Sequence, residues 1–202
     1  MRMDQKEVWN NIAVPWKTFR VKPIKEIQEF LKGKSGNILD LGCGSGRNFR
    51  KVKGVIYGVD FSEKMLKHAK KYAEKNEIKV RLIKSDAINL PFKKNFFDAG
   101  IFVAVLHCIP HEEDRKKSLR EFLRVLKPNA EALISVWDYN QERFKNKEKE
   151  SFISWEYKGK NYQRYYYLYE KDEFLDLLKK IGFKIVRFIP DKFNIIFIVQ
   201  KP

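Results

Sequence analysis

A short apolar run, Asn37-Ile38-Leu39-Asp40-Leu41, opens directly into Gly42-Cys43-Gly44-Ser45-Gly46. The run suits a buried strand, and the alternating glycines let the backbone bend tightly and approach a ligand that a Cβ would exclude. The spacing predicts that this strand turns into a helix. Such a turn belongs to α/β sheets, whose ligands sit at the carboxyl ends of the strands. Alone, the pattern would equally suit another nucleotide site or a turn with no ligand. Asp60 narrows it: it ends the next apolar run, Val55–Asp60, where a carboxylate can accept both hydroxyls of a ribose. A dinucleotide-binding enzyme would use the same acid, so the pair specifies ribose and adenine without naming the cofactor.

The remaining elements alternate in the way a mostly parallel sheet requires. Pro23 is placed to open a helix carrying Ile24, Ile27, Phe30 and Leu31. Ser62 reads as the N-cap of a helix with Met65, Leu66, Ala69, Tyr72 and Ala73 on its apolar stripe. Residues 79–83 and 97–105 read as the third and fourth strands. Leu119, Phe122, Leu123 and Leu126 mark a helix stopped by Pro128, and residues 131–137 read as a fifth strand. Residues 141–160 are polar and charged and read as an insertion, with 162–169 either a strand or an aromatic lid. A helix over 172–181 ends at Gly182, and two strands, 183–189 and 193–199, close the sheet as an antiparallel hairpin through Pro190-Asp191-Lys192. The expected organisation is one domain over 1–202, with cover helices in 1–34 and a substrate-side insertion in 140–170.

Composition bounds the partners. The 202 residues hold 42 Lys+Arg against 26 Asp+Glu, a formal charge of +16. A solvated mixed surface accounts for many of these charges but not for the excess, which favours polyanions because each neutralised phosphate releases counterions. The two cysteines, Cys43 and Cys108, offer no C-x-x-C spacing, so neither a disulfide framework nor a metal site within this chain is expected. No apolar run suits a membrane span and the first residues show no signal-peptide pattern, so a cytoplasmic protein is expected.

Two further pieces choose the cofactor. Ser85-Asp86-Ala87 follows the third strand, where an Asp can accept from an adenine amino group. Leu90-Pro91-Phe92 then leads to Phe96-Phe97-Asp98, and later to Arg124-Val125-Leu126-Lys127-Pro128. This succession resembles the class I, Rossmann-like methyltransferases: a seven-stranded, mostly parallel sheet with a C-terminal antiparallel hairpin and helices on both faces. The resemblance implies S-adenosylmethionine as cofactor and S-adenosylhomocysteine as product. The implied cofactor-binding residues are Asp40, Gly42, Gly44, Gly46, Asp60, Phe61, Ser62, Asp86, Ala87, Phe102 and Val103.

Within that class the chain resembles the family that methylates the carboxymethyl group of the tRNA wobble uridine. Trp9-Asn10-Asn11-Ile12-Ala13 with Phe19-Arg20-Val21-Lys22-Pro23 is similar to that family's N-terminal cover. Val103-Ala104-Val105-Leu106-His107, Ala132–Trp137 and above all Arg164-Tyr165-Tyr166-Tyr167-Leu168-Tyr169 continue the likeness. Departures are a short insertion before Arg164, Cys108 where a second His often stands, and Asn129 after Lys127-Pro128. The family implies tRNA, through its anticodon stem-loop, as substrate, and as partner a small zinc-binding activator that pairs with the sheet edge at the third strand.

Methyl transfer to a carboxylate needs no general base, because that acid is ionised at neutral pH. It needs a cation and a dry pocket. Arg164 is placed to grip the carboxylate, and Arg20 either does the same or holds the cofactor's own carboxylate. Tyr165 and Trp137 offer flat faces to an unstacked base, and His107 a hydrogen bond. These five are the expected catalytic residues. Against them stand a half-buried tyrosine strand, a structural His107 and a core Trp137. The rival functions are a class I enzyme acting on a lipid or quinone, and a binding module that keeps the fold without catalysis.

Overall fold

The computed structural model describes residues 4–19 and 21–202. Three short helices come first: α1 (Gln5–Asn11), α2 (Ala13–Phe19) and α3 (Lys25–Leu31). Then follow β1 (Ser35–Leu41), β2 (Lys53–Asp60), α4 (Glu63–Lys75), β3 (Val80–Lys84), β4 (Phe97–Val103), α5 (Glu112–Val125) and β5 (Leu126–Trp137). The chain continues through β6 (Glu150–Tyr157), β7 (Lys160–Tyr167), α6 (Lys171–Ile181), β8 (Lys184–Ile189) and β9 (Asn194–Gln200).

Seven strands form one sheet in the order β3-β2-β1-β4-β5-β9-β8. The pairs β2–β3, β1–β2, β1–β4 and β4–β5 are parallel, while β9 runs antiparallel to both β5 and β8. The order reverses between β1 and β4, and the carboxyl ends of those strands frame a crevice there. Side chains alternate across the sheet. Leu39, Leu41, Phe102 and Ile134 pack with Phe122 and Leu178 on the α5–α6 face, whereas Ile38, Ile101 and Leu133 pack with Ile27, Leu31 and Ala69 on the α3–α4 face.

Ser62 caps α4 as expected, its Oγ accepting from Met65 N at 3.2 Å, and α6 ends at Gly182. Four expectations need correction. No helix follows the glycine turn: residues 42–52 are turns and irregular chain. A parallel return along a seven-residue strand spans about 23 Å, and a helix of that length needs about 15 residues, more than this segment holds. Pro23 lies before Ile24, the N-cap of α3, so it precedes the helix rather than opening it. The helix before Pro128 already ends at Val125, and Pro128 sits within β5 where its register against β4 shifts. In that irregularity a missing N–H costs no ladder bond.

The charged insertion is also not featureless. Residues 150–157 form β6, which pairs antiparallel with β7 as a separate two-stranded sheet, Phe152 opposite Tyr165 and Trp155 opposite Tyr162. The hairpin packs on α1 through Val8, Ile12 and Tyr162. No helix is long and apolar enough to cross a membrane among the described residues.

Candidate active site

The crevice at the carboxyl ends of β1, β2 and β4 holds about 870 Å³ of empty space, open solvent at its mouth included. Its floor is the glycine turn, which is tied to β2 because Gly42 N and Cys43 N both donate to Val59 O, at 2.8 and 3.0 Å. Gly42 has φ +71°, and a Cβ there would strike Val105 at 2.2 Å. Gly44 has φ +53° and would meet nothing within 4 Å, because it faces the open cavity. The two glycines therefore serve different ends: one lets the chain pack, the other bares backbone to a ligand.

Two acids lie beneath this turn. Asp60 is held by the backbone, its Oδ2 accepting from Gly44 N and its Oδ1 from Ser62 N, both at 2.9 Å. Burial pushes its pKa up to about 6 against the pull of those two N–H groups. Asp40 is 2% exposed, and its Oδ2 is buried with no hydrogen-bond partner. Burial first, and the Asp60 charge second, raise Asp40 to about 8, with the Arg47 guanidinium opposing. Two buried acids, one unsatisfied, favour a cationic ligand. S-adenosylmethionine, with its sulfonium, ammonium and ribose hydroxyls, fits this set, and Arg47 on the cavity wall suits its carboxylate.

The expected cofactor residues divide in space. Gly42, Gly44, Asp60, Phe61, Ala87 and Val103 line the cavity, and Asp40 lies directly behind it. Gly46 does not line it: a Cβ there would meet the Phe49 ring at 2.7 Å, so this glycine serves packing. Phe102 is wholly buried on the other face of the sheet, 5.4 Å from the Phe122 ring, because strand alternation sends it opposite to Val103. Ser62 is buried in its cap and donates to Asn10 Oδ1 at 2.6 Å. Asp86 is engaged outside the cavity, in an ion pair with Lys6 at 2.7 Å and accepting from Ile88 N. Sequence reasoning missed Trp9, Trp16, Met65, Arg47 and Cys108 as walls of the cavity. The helical period of α4 could have found Met65, one turn beyond Ser62; nothing local marks the others.

Three of the expected catalytic residues, His107, Trp137 and Arg164, lie beside the cavity without lining it, and Arg20 lies outside the described residues. Trp9 and Cys108 are shared between the cavity wall and an aromatic cluster around Trp137, Tyr166 and Phe144. There Trp137 stacks on Tyr166 with centroids 4.3 Å apart and on His107 at 5.0 Å. His107 Nδ1 accepts from Trp137 N at 3.2 Å, which places the proton of the neutral ring on Nε2. Arg164 is 5% exposed and donates to Tyr166 Oη at 2.8 Å. Its guanidinium carbon lies 4.9, 5.3 and 5.4 Å from the Trp155, Tyr166 and Trp16 rings. Its Nε is buried without a hydrogen-bond partner, and among the described residues no carboxylate pairs with it.

Tyr165 does not join this group. Adjacent residues of a strand point to opposite faces, so Tyr165 turns away from Arg164. Its Oη accepts from Arg115 Nη1 and donates to Glu150 Oε1, each at 3.0 Å. Burial is the first cause that pushes its hydroxyl up to about 12. By position it is Tyr166, not Tyr165, that stacks with Trp137 and His107. Among the described residues no cluster of His, Cys, Asp and Glu could hold a metal.

Residues 39–134 match the family described as a methyltransferase domain. The chain is 35% identical over 138 residues to the tRNA (carboxymethyluridine(34)-5-O)-methyltransferase of Arabidopsis thaliana, a match covering 67% of this chain but only 33% of that protein. Against the enzyme of the same name from Schizosaccharomyces pombe it is 28% identical, over 96% of this chain and 95% of that one. It is also 36% identical to the 2-phytyl-1,4-naphtoquinone methyltransferase of Nostoc punctiforme, over 66% of this chain and 55% of the relative. Among solved structures, a chain of the complex between the Haloferax volcanii Trm112 methyltransferase activator and its methyltransferase superposes with a TM-score of 0.68 at 14% identity, covering 100% of each chain. Cavity, sheet order and relatives agree: the chain is a class I S-adenosylmethionine-dependent methyltransferase that resembles the tRNA carboxymethyluridine methyltransferases.

Proposed function

We propose that this enzyme methylates tRNA in the cytoplasm, at the carboxylate of 5-carboxymethyluridine in the wobble position. The observation that carries the reading is Arg164: a buried guanidinium in an aromatic cage beside the cavity, with an unsatisfied Nε and, among the described residues, no carboxylate of its own. A buried cation without a counter-ion is costly. A substrate carboxylate would supply the missing charge and, through bidentate contact, the orientation.

Bound S-adenosylmethionine supplies an electrophilic methyl group. The chain's residues do the rest. Asp60 receives the ribose hydroxyls, Gly44 lets the backbone approach, and Asp40 offsets the cofactor's positive charge. Arg164 holds the attacking carboxylate, Trp137 and Tyr166 flank the base, and His107 keeps Trp137 in place through its ring stacking and the bond to Trp137 N. Asp86 can accept from adenine once Lys6 releases it. Trp16 lines the cavity and packs against the Arg164 guanidinium, with Trp9 edge-on to Trp16, so α1 and α2 would shift to admit a nucleotide and then close over it to exclude water. The single domain expected over 1–202 suffices for this chemistry. The exposed edge strand β3 suits pairing with a small activator protein of the Trm112 kind, which would bring its own zinc.

The test is methyl transfer from labelled S-adenosylmethionine to total tRNA, with and without that activator, followed by nucleoside analysis. Label in a wobble uridine, as an ester released by mild alkali, is the expected result. Arg164→Ala should abolish it while cofactor affinity stays within about threefold, equivalent to under 1 kcal/mol. The Nostoc relative favours one rival, a quinone substrate. Labelled quinone and unlabelled tRNA would establish that rival instead.

A further inference from the structure

We propose that Phe19 and Trp155 form a second base-binding subsite: an aromatic ledge at the cavity mouth that stacks an unpaired RNA base next to the one beside Arg164. The proposal rests on the tRNA reading and extends it to a binding determinant outside the cavity.

Phe19 closes α2 and is 59% exposed, an unusual position for a ring with so much apolar surface. Its ring meets Trp155 edge-on at 5.2 Å, and Trp155 meets Trp16 at 5.5 Å. Trp16 is a wall of the cavity, and the Arg164 guanidinium lies over both tryptophans. A continuous row of rings thus leads from the cavity to solvent, and Phe19 is its outer end.

Cations flank the row. Lys17 stands two residues before Phe19 in α2 and, with Lys71 of α4, depresses the His68 pKa by its charge, after burial as the first cause. Lys158, in the β6–β7 turn, lies 5.6 Å from the Tyr157 ring. Lys17, Lys71 and Lys158 are all exposed, and none is paired with a carboxylate among the described residues. Aromatic faces between unpaired lysines are what a single-stranded nucleic acid needs: stacking for the bases and positive charge for the backbone. A protein partner would favour the rings but has no use for three uncompensated cations around them.

The test measures equilibrium binding, without cofactor, of an RNA hairpin the size of an anticodon stem-loop, and of the same hairpin made abasic at the positions flanking the wobble nucleotide. Phe19→Ala should weaken binding of the base-bearing hairpin about tenfold, the loss of one stacked base, and leave the abasic one within about twofold. Phe19→Trp should restore it. Phe19 is more than half exposed, so its truncation leaves the core intact. Equal binding of both hairpins by wild type and Phe19→Ala overturns the subsite, as does failure to bind either one. Unchanged RNA affinity with lost self-association would reassign the ledge to protein contact. Because the readout is binding, absent tRNA methylation with a base-dependent loss at Phe19 sinks the wobble assignment and keeps the subsite. Intact methylation with unchanged affinity sinks the subsite alone.

Discussion

At the scale of single residues, the most consequential group is Asp40. The unfolded chain releases that proton near pH ~4, while the folded protein holds it to about pH 8. The folded state therefore binds more protons across that window, and stability falls as pH rises through it. Asp60, raised to about 6, adds to the lower half. Thermal melts of the ligand-free protein should show Tm falling from about pH 5 to about pH 8, and Asp40→Asn should flatten the part above pH 6. An unaltered slope in the variant would count against this account. Cofactor should raise Tm most at the alkaline end, where its positive charge meets an ionised Asp40. The glycine turn and both acids were legible in the sequence because they are contiguous and their spacing is fixed by a strand on each side. Arg164 was legible by resemblance. Tyr165 was misassigned for a physical reason that the sequence itself contained: in a strand, neighbours cannot share a face, and Arg164 belongs with Tyr162 and Tyr166.

Elements show where local reasoning ends. The helices over residues 62–75 and 172–182 were plain from caps and apolar period, and the closing hairpin from its turn. The strand β6 was not, since Glu150, Ser154 and Glu156 give it a polar, half-exposed pattern that reads as solvated loop. Its place is set by β7 and by Arg115, which no local signal reveals. Arg115 is 3% exposed, donates through Nη1 to Ile109 O, Pro110 O and Tyr165 Oη at 3.2, 3.0 and 3.0 Å, and lies over the Tyr167 ring at 4.2 Å. It pins the loop after β4 to the hairpin. Arg115→Ala should lower unfolding free energy by about 3 kcal/mol in denaturant titrations, since it strands two carbonyls and a hydroxyl. Arg115→Lys should recover little, because an ammonium cannot span the three acceptors and stack as well. A loss under about 1 kcal/mol would show that water replaces these bonds freely.

For the whole molecule, charge and sheet order carry the argument. The excess of 42 basic over 26 acidic residues predicts RNA binding whose affinity falls steeply with salt. A log–log slope of about −3 or steeper corresponds to four or more phosphates at about −0.7 each for single strands. A slope shallower than about −1 would assign the charge to something other than RNA. The mostly parallel sheet closed by an antiparallel hairpin follows from the alternation of elements and was legible in the sequence, whereas the strand order was not. The empty crossover between β1 and β2 was not, because a glycine-rich turn normally announces a helix. That gap sets the enzyme's exclusivity. A helix N-terminus after such a turn is how dinucleotide enzymes welcome a pyrophosphate; here the turn offers no helix dipole, and the Asp60 carboxylate, held by Gly44 N and Ser62 N, lies beneath it. The same fold that admits adenosine on a sulfonium should turn away NAD, ATP and every other adenosine that carries phosphates at that end.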